Sequence, residues 1–198
     1  MKEIVIATNN NHKFSEIVSI TQDWGVNCLS LNDFTCSFSY DEPYFSFMEN
    51  ALHKAREVSK LVSLPVLADD SGICVDALNG KPGVFSSRYS EDGTDESNRR
   101  KLLSALHGIS NRQATFICVM VLIRSYSDLC PLVSYGFWSG CITLEEVGET
   151  GFGYDRIFLP LGCKQTAAEM PPSSKRDLSH RAQAIRKMRE EILRCPWG

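Results

Sequence analysis

The sequence predicts an α/β protein with a mixed β-sheet flanked by helices. Short β-branched runs alternate with helical periodicity as far as Val75, and two long strand candidates, Ala114 to Arg124 and Leu132 to Thr143, then follow with only a short polar loop between them. Ile4-Val5-Ile6-Ala7 is a continuous apolar run of the kind buried on both faces, and Thr8-Asn9-Asn10-Asn11 ends it in a turn. A helix follows with Phe14, Ile17 and Val18 in register, stopping near Gly25, where glycine suits a C-terminal cap. Cys28 to Leu31 reads as a second strand, and Phe34 to Tyr44, without a period, as a loop. Ser46 to Val62 returns to helical spacing through Phe47, Ala51, Ala55 and Val58, and Pro65 ends it.

Val66-Leu67-Ala68 is a strand that is expected to break at Asp69-Asp70-Ser71-Gly72 and to resume at Ile73-Cys74-Val75. Thr94 to Leu106 is a helix with an N-cap threonine and acids in its first turn. Gly151-Phe152-Gly153-Tyr154-Asp155 is a glycine-rich turn leading into Ile157-Phe158-Leu159, and Ser179 to Arg194 is the closing helix. The two long strand candidates are expected to pair antiparallel.

With 198 residues and 43% apolar side chains, the chain is able to bury a core of ordinary size, and residues 1–198 read as one domain, with two lobes at most. A net charge of −3 and a pI near 5.8 give no uniform basic surface for a nucleic-acid polymer. Positive charge is uneven, however: Lys164 to Arg194 holds eight of the 21 lysines and arginines. The longest apolar run, Thr115 to Ile123, is far short of the roughly 20 residues a membrane helix needs. Eight cysteines stand singly (Cys28, Cys36, Cys74, Cys118, Cys130, Cys141, Cys163, Cys195), with no C-x-x-C pair and no leader pattern. They are expected to be reduced thiols in a soluble, cytoplasmic protein.

Several segments carry possible chemistry, each with a plain alternative. The turn from Thr8 through Asn9, Asn10, Asn11 and His12 to Lys13 joins a strand to a helix, where backbone N–H groups and the helix dipole receive phosphate; it is otherwise an asparagine-rich turn with a surface lysine. It is neither a Walker loop nor a dinucleotide fingerprint. Asp69 and Asp70 are adjacent carboxylates that repel unless a cation is near, which suits magnesium and a proton acceptor, or else they are turn acids. Glu42 is a possible third ligand. Glu49 fits a helix N-terminus, and Lys54 is either solvated or a phosphate ligand. Phe152, Gly153, Tyr154 and Asp155 offer a base a stacking surface and an acceptor, or simply a bend. Lys175, His180 and Arg181 crowd donors near the last helix, or else the His–Arg pair is a solvated surface pair.

Taken in order, these segments resemble the inosine triphosphate pyrophosphatase family of non-canonical purine nucleotide pyrophosphatases. The blocks are Ala7-Thr8-Asn9-Asn10 with Lys13, Phe47-Met48-Glu49-Asn50-Ala51 with Lys54, Ala68-Asp69-Asp70-Ser71-Gly72, Pro82-Gly83-Val84 with Ser87-Arg88-Tyr89-Ser90, Gly151 to Asp155, Ala168-Glu169-Met170 and Ser179-His180-Arg181. The resemblance implies a two-lobed α/β fold with a cleft between lobes, a homodimer, and Mg²⁺-dependent hydrolysis of ITP, dITP, XTP and dXTP to monophosphate and pyrophosphate. It further implies that Asp70 is the proton acceptor and a metal ligand, with Asp69 and Glu42 nearby. Thr8 to Lys13, Lys54 and Ser71 would contact phosphate, and Phe152 to Asp155, Lys175, His180 and Arg181 the nucleotide and its base. Asn9 stands where many relatives carry glycine and is expected to adopt a glycine-like backbone. Two rivals remain at this point: a Maf-like pyrophosphatase, and a nucleotide-binding module without turnover.

Overall fold

The computed structural model describes residues 3–35, 38 and 41–194, so Cys36, Cys195 and part of the expected 34–44 loop lie outside the described residues. The elements are β1 (Glu3–Ala7), α1 (Asn11–Thr21), β2 (Asn27–Ser30), α2 (Phe47–Ser59), β3 (Val66–Val75), α3 (Asp95–Ala105), β4 (Gln113–Ile123), β5 (Leu132–Ile142), β6 (Phe158–Pro160), α4 (Pro172–Leu178) and α5 (His180–Arg194). Among the described residues the strands form a six-stranded sheet in the order β2-β1-β3-β4-β5-β6. β1 runs parallel to both β2 and β3, while β5 and β6 are antiparallel, so the sheet is mixed. The expected α/β class is the one observed.

The chain groups into two compact units, one taking in residues up to Asp70, 118–136 and Arg181 onward, the other 71–117 and 137–180. In the first, both faces of the sheet are covered. Ile4, Ile6, Leu67, Met120 and Leu122 pack with Ile17 of α1 and Ala184, Ile185 and Met188 of α5. Val5, Ala7, Val66, Ala68 and Val121 pack with Ala51, Ala55 and Val58 of α2. This two-sided burial is why β1 reads as an unbroken apolar run. The second unit gathers Ile73, Val75, Leu102, Leu106, Phe116, Trp138, Tyr154, Ile157 and Phe158.

The helix starts follow their caps. Ser46 Oγ accepts the Glu49 N–H at 3.2 Å and Thr94 Oγ1 accepts the Ser97 N–H at 3.2 Å. Gly25 takes the left-handed conformation (φ 68°) expected of it.

Three expectations are corrected, and one helix is additional to those expected. α2 stops at Ser59 rather than Val62, because the Leu61 N–H turns back three residues to Val58 O and tightens the chain, which lets Val62 reach the core. α4, a short helix with proline in its first turn, has no apolar stripe to reveal it. Asn9 does not take a glycine-like backbone: among the described residues the one non-glycine with positive φ is Asn79. Finally, β3 does not break at the acidic pair but runs continuously through it. Successive side chains of a strand point to opposite faces, so the two carboxylates are separated by the pleat and each finds its own partners.

Gly140 of β5 pairs with Pro160 of β6, and a Cβ there would lie 2.3 Å from the Leu159 carbonyl oxygen and 2.8 Å from the Phe158 ring. Gly140→Ala is therefore expected to lower stability by about 1–3 kcal/mol, the usual cost of overpacking. Chemical denaturation checks this, and an unchanged midpoint would contradict the packing described.

Candidate functional site

Two clusters of functional side chains are built separately, one in each unit. The first centres on β3. Leu67 and Asp69 share the face covered by α1 and α5, and Val66, Ala68 and Asp70 share the face covered by α2. Both carboxylates are buried, with 1% and 3% of their surface exposed.

Asp69 Oδ2 lies 3.0 Å from Lys13 Nζ of α1 and 3.6 Å from Arg181 Nε of α5, and Arg181 is also bridged to Glu16. Burial alone would raise the Asp69 pKa. The pull of Lys13, Arg181 and Lys54 together outweighs it and holds the carboxyl well below the usual carboxylate range.

Asp70 has the opposite electrostatics. Its Oδ2 accepts a hydrogen bond from Asn50 Nδ2 at 3.1 Å, and Asn50 also clamps the backbone N–H and C=O of Tyr44. Burial, helped by the charges of Glu42 and Asp69 and opposed by Lys54 and Lys13, raises the Asp70 pKa to about 6. Lys54 lies one turn beyond Asn50 on α2. Its Nζ donates to Glu42 Oε1 at 2.9 Å and to the Asp69 carbonyl at 2.8 Å, so it is charged despite burial.

The turn before α1 is more occupied than its sequence suggests. Thr8 Oγ1 accepts the Asn10 N–H at 3.2 Å, while Asn10 Oδ1 caps α1 by accepting from the His12 and Lys13 N–H groups at 2.9 and 3.1 Å. An incoming phosphate oxygen meets two donors already engaged by an amide oxygen. Asn9, Asn10, Asn11 and His12 are exposed, and Ser71 is half-buried on β3 directly after Asp70.

In the second unit, the turn from Gly151 to Asp155 is tied by its own acid. Asp155 Oδ2 accepts the Phe152 N–H at 2.9 Å and the Lys175 ammonium at 2.7 Å. Gly151 has φ 81°, and any Cβ there would fall 2.3 Å from Asp155 Oδ2. Lys175 Nζ also sits 4.7 Å from the centroid of the Phe152 ring, a cation–π contact. Of the two aromatics, Phe152 is half-buried, whereas Tyr154 is in the core with its hydroxyl donating to the Ser86 carbonyl at 2.8 Å. Tyr154 therefore braces the turn, and the stacking surface is Phe152.

His180 and Arg181 are both buried, and although they are consecutive they join different groups. The His180 ring lies flat on Phe116, 4.7 Å between centroids at 8°, with Trp138 beyond. Arg181 is committed to Glu16 and Asp69. The expected donor cluster of Lys175, His180 and Arg181 thus divides.

Asn50, Glu16, Phe116 and Trp138 were not singled out from the sequence. Asn50 carried one signal: it falls four residues before Lys54 beside the apolar stripe of α2, where a polar residue needs a buried partner.

Among the described residues no group of three or more His, Cys, Asp or Glu is arranged to hold a metal ion. The donor set does fit a cation that arrives with its own oxygen ligands. Asp70 and Glu42 both act on Lys54, and magnesium is typically held by one or two carboxylates plus substrate phosphates. Asp69, occupied by two protein cations, fits that role less well. The six described cysteines are free thiols, and burial pushes the Cys118 thiol up to about 12, leaving it inert. No helix of the described residues is long and apolar enough to cross a membrane.

Comparison with known proteins gives concordant matches. The model of the Ham1 family matches residues 4–191. The dITP/XTP pyrophosphatase of Shigella flexneri is 43% identical over 195 residues, covering 97% of this chain and 98% of that protein. That of Nitrosomonas europaea is 47% identical over 191 residues, covering 95% and 93%. Among solved structures, a HAM1 protein from Coxiella burnetii superposes with a TM-score of 0.90 at 40% identity, covering 98% of this chain and 100% of that one.

The opposed electrostatics of the two acids are testable in the metal-free protein. Because the folded-state pKa of Asp70 is raised, the native state binds the extra proton between about pH 4 and 6, and stability falls as pH rises through that window. Asp70→Asn removes this penalty, so it is expected to be more stable than the parent at pH 7.5, by up to about 3 kcal/mol, with the gain vanishing near pH 4. Asp69 is depressed, so its contribution is present at neutral pH and is lost on acidification; Asp69→Asn is expected to destabilise at pH 7.5. Urea unfolding at the two pH values measures both. Equal effects of the two substitutions would refute the division.

Proposed function

The chain belongs to the Ham1 family, and we propose that it hydrolyses nucleoside triphosphates bearing a 6-oxo purine, dITP and XTP among them, to the monophosphate and pyrophosphate. The observation that carries the reading is the buried Asp70 carboxylate, hydrogen-bonded to Asn50 and set beside the Lys54–Glu42 pair. A triphosphate carries about four negative charges, which must be neutralised before water approaches the α-phosphorus in line.

Lys13 and Lys54 supply fixed positive charge, and the Thr8 to His12 turn and Ser71 supply neutral contacts. Asp70 takes a proton from the attacking water at its carboxylate. Asp70 and Glu42 would hold a magnesium ion, which would supply further charge neutralisation on the phosphates and the leaving pyrophosphate. Asp69 holds Lys13 and Arg181 in place and takes no proton. Phe152 stacks on the base, with Asp155 and Lys175 at its edge. Stacking does not discriminate among purines. Selection of a 6-oxo over a 6-amino group rests on donors at the ring edge, with the Lys175 ammonium as the local supply. A homodimer in the cytoplasm completes the reading, on the strength of the family resemblance.

Pyrophosphate release from ITP in the presence of Mg²⁺ tests this directly. Asp70→Asn is expected to lower kcat by roughly 10² to 10⁴ while the protein remains folded. A binding module without turnover would return ITP intact from the wild type. Lys13→Ala and Lys54→Ala are expected to weaken ITP and XTP by similar factors. The kcat/KM for ITP is expected to exceed that for ATP by roughly 10⁴, and a ratio within about tenfold overturns the account of base selection.

A further inference from the structure

The turn carrying Phe152 contains two left-handed glycines, Gly151 (φ 81°) and Gly153 (φ 60°), so its shape must be held by its surroundings. Helix α3 provides that hold. Asp95 and Arg99 are four residues apart on one face of the helix. Asp95 Oδ2 accepts the Gly153 N–H at 2.6 Å, and Arg99 Nη1 donates to the Gly153 carbonyl at 2.8 Å. Both polar groups of a single loop residue, the one that follows Phe152, are thus gripped by one helix.

The grip extends outward. Arg99 is 6% exposed, its Nε lies 3.0 Å from Glu146 Oε2, and Glu146 is 3.9 Å from Arg156, which donates to the Glu149 carbonyl at 3.0 Å. Burying a guanidinium is costly unless it is paired and hydrogen-bonded, so a chain that does this beneath a surface turn stabilises one shape of that turn in particular.

We infer that Asp95 and Arg99 are positioning residues that set affinity for the nucleotide base, by fixing Gly153 so that Phe152 presents its ring in one orientation. The inference rests on the reading of the Phe152 turn as the seat of the base. Neither residue touches the reacting atoms. Their effect is preorganisation: with the grip removed, the turn samples other conformations and the base must order it on binding.

Calorimetric titration of inosine monophosphate and of inorganic pyrophosphate, each with Mg²⁺, into the full-length protein separates the two ends of the substrate. Arg99→Ala and Asp95→Ala are expected to weaken inosine monophosphate by about tenfold or more while leaving pyrophosphate within about twofold. Arg99→Lys is expected to recover part of the loss, since an ammonium still donates to the Gly153 carbonyl. A purely structural role would weaken both ligands together, and that result, or no change in either, overturns the inference. Should Arg99→Ala not fold, Asp95→Ala, at an exposed side chain, carries the test. If the wild type binds pyrophosphate but not inosine monophosphate, the reading of the turn as a base site fails and the inference with it; if it binds both and the variants match it, the inference alone fails.

Discussion

The ion pairing of Asp69 with Lys13 and Arg181 is the interaction on which the first unit depends. A carboxylate this deeply buried is tolerated only with compensating charge, and here one cation comes from α1 and one from α5. The same pair fixes the two helices against the strand that carries Asp70. With the first acid neutralised by protein, the second is left buried beside an amide, a lysine and a second carboxylate, and burial, joined by the charge of that carboxylate, raises its affinity for a proton against the pull of the lysine. Two chemically identical side chains, adjacent in the chain, thereby acquire different duties.

Much of this was legible in the sequence because it was written in local chemistry. The apolar runs of β1 and β3, the serine and threonine caps of α2 and α3, and the glycines of the Phe152 turn each have a short-range physical meaning. The acidic pair was visible, yet its setting was misjudged: adjacent acids resemble a break in a strand unless the partners on each face are known, and Lys13 and Arg181 lie 56 residues before and 112 after Asp69. Likewise, a His–Arg pair at a helix start looks like surface. Only the tertiary neighbours, an aromatic layer for His180 and two acids for Arg181, explain why both are buried. Asn10 shows the reverse, since its capping role is a local rule that the phosphate-loop reading passed over.

The second unit applies a different economy of means. Its turn uses glycine where a side chain would collide with Asp155, and then restores rigidity with hydrogen bonds to Asp155 and Asp95 and from Arg99. Loops that recognise ligands are commonly mobile, and rigid support from a helix is how a short irregular segment acquires a defined face. Tyr154 contributes in the same sense, its ring in the core and its hydroxyl on the Ser86 carbonyl.

The alternation along β3 bears on how this chain is able to vary over time. Exchanging one apolar residue for another at Leu67 or Ala68 changes packing but leaves each acid on its own side. Inserting or deleting a single residue there reverses the parity of the strand, sending Asp69 toward α2 and Asp70 toward α1 and α5. A change of composition along the strand is thus a change of packing, whereas a change of length between the first buried residue and the second acid exchanges the partners of both carboxylates.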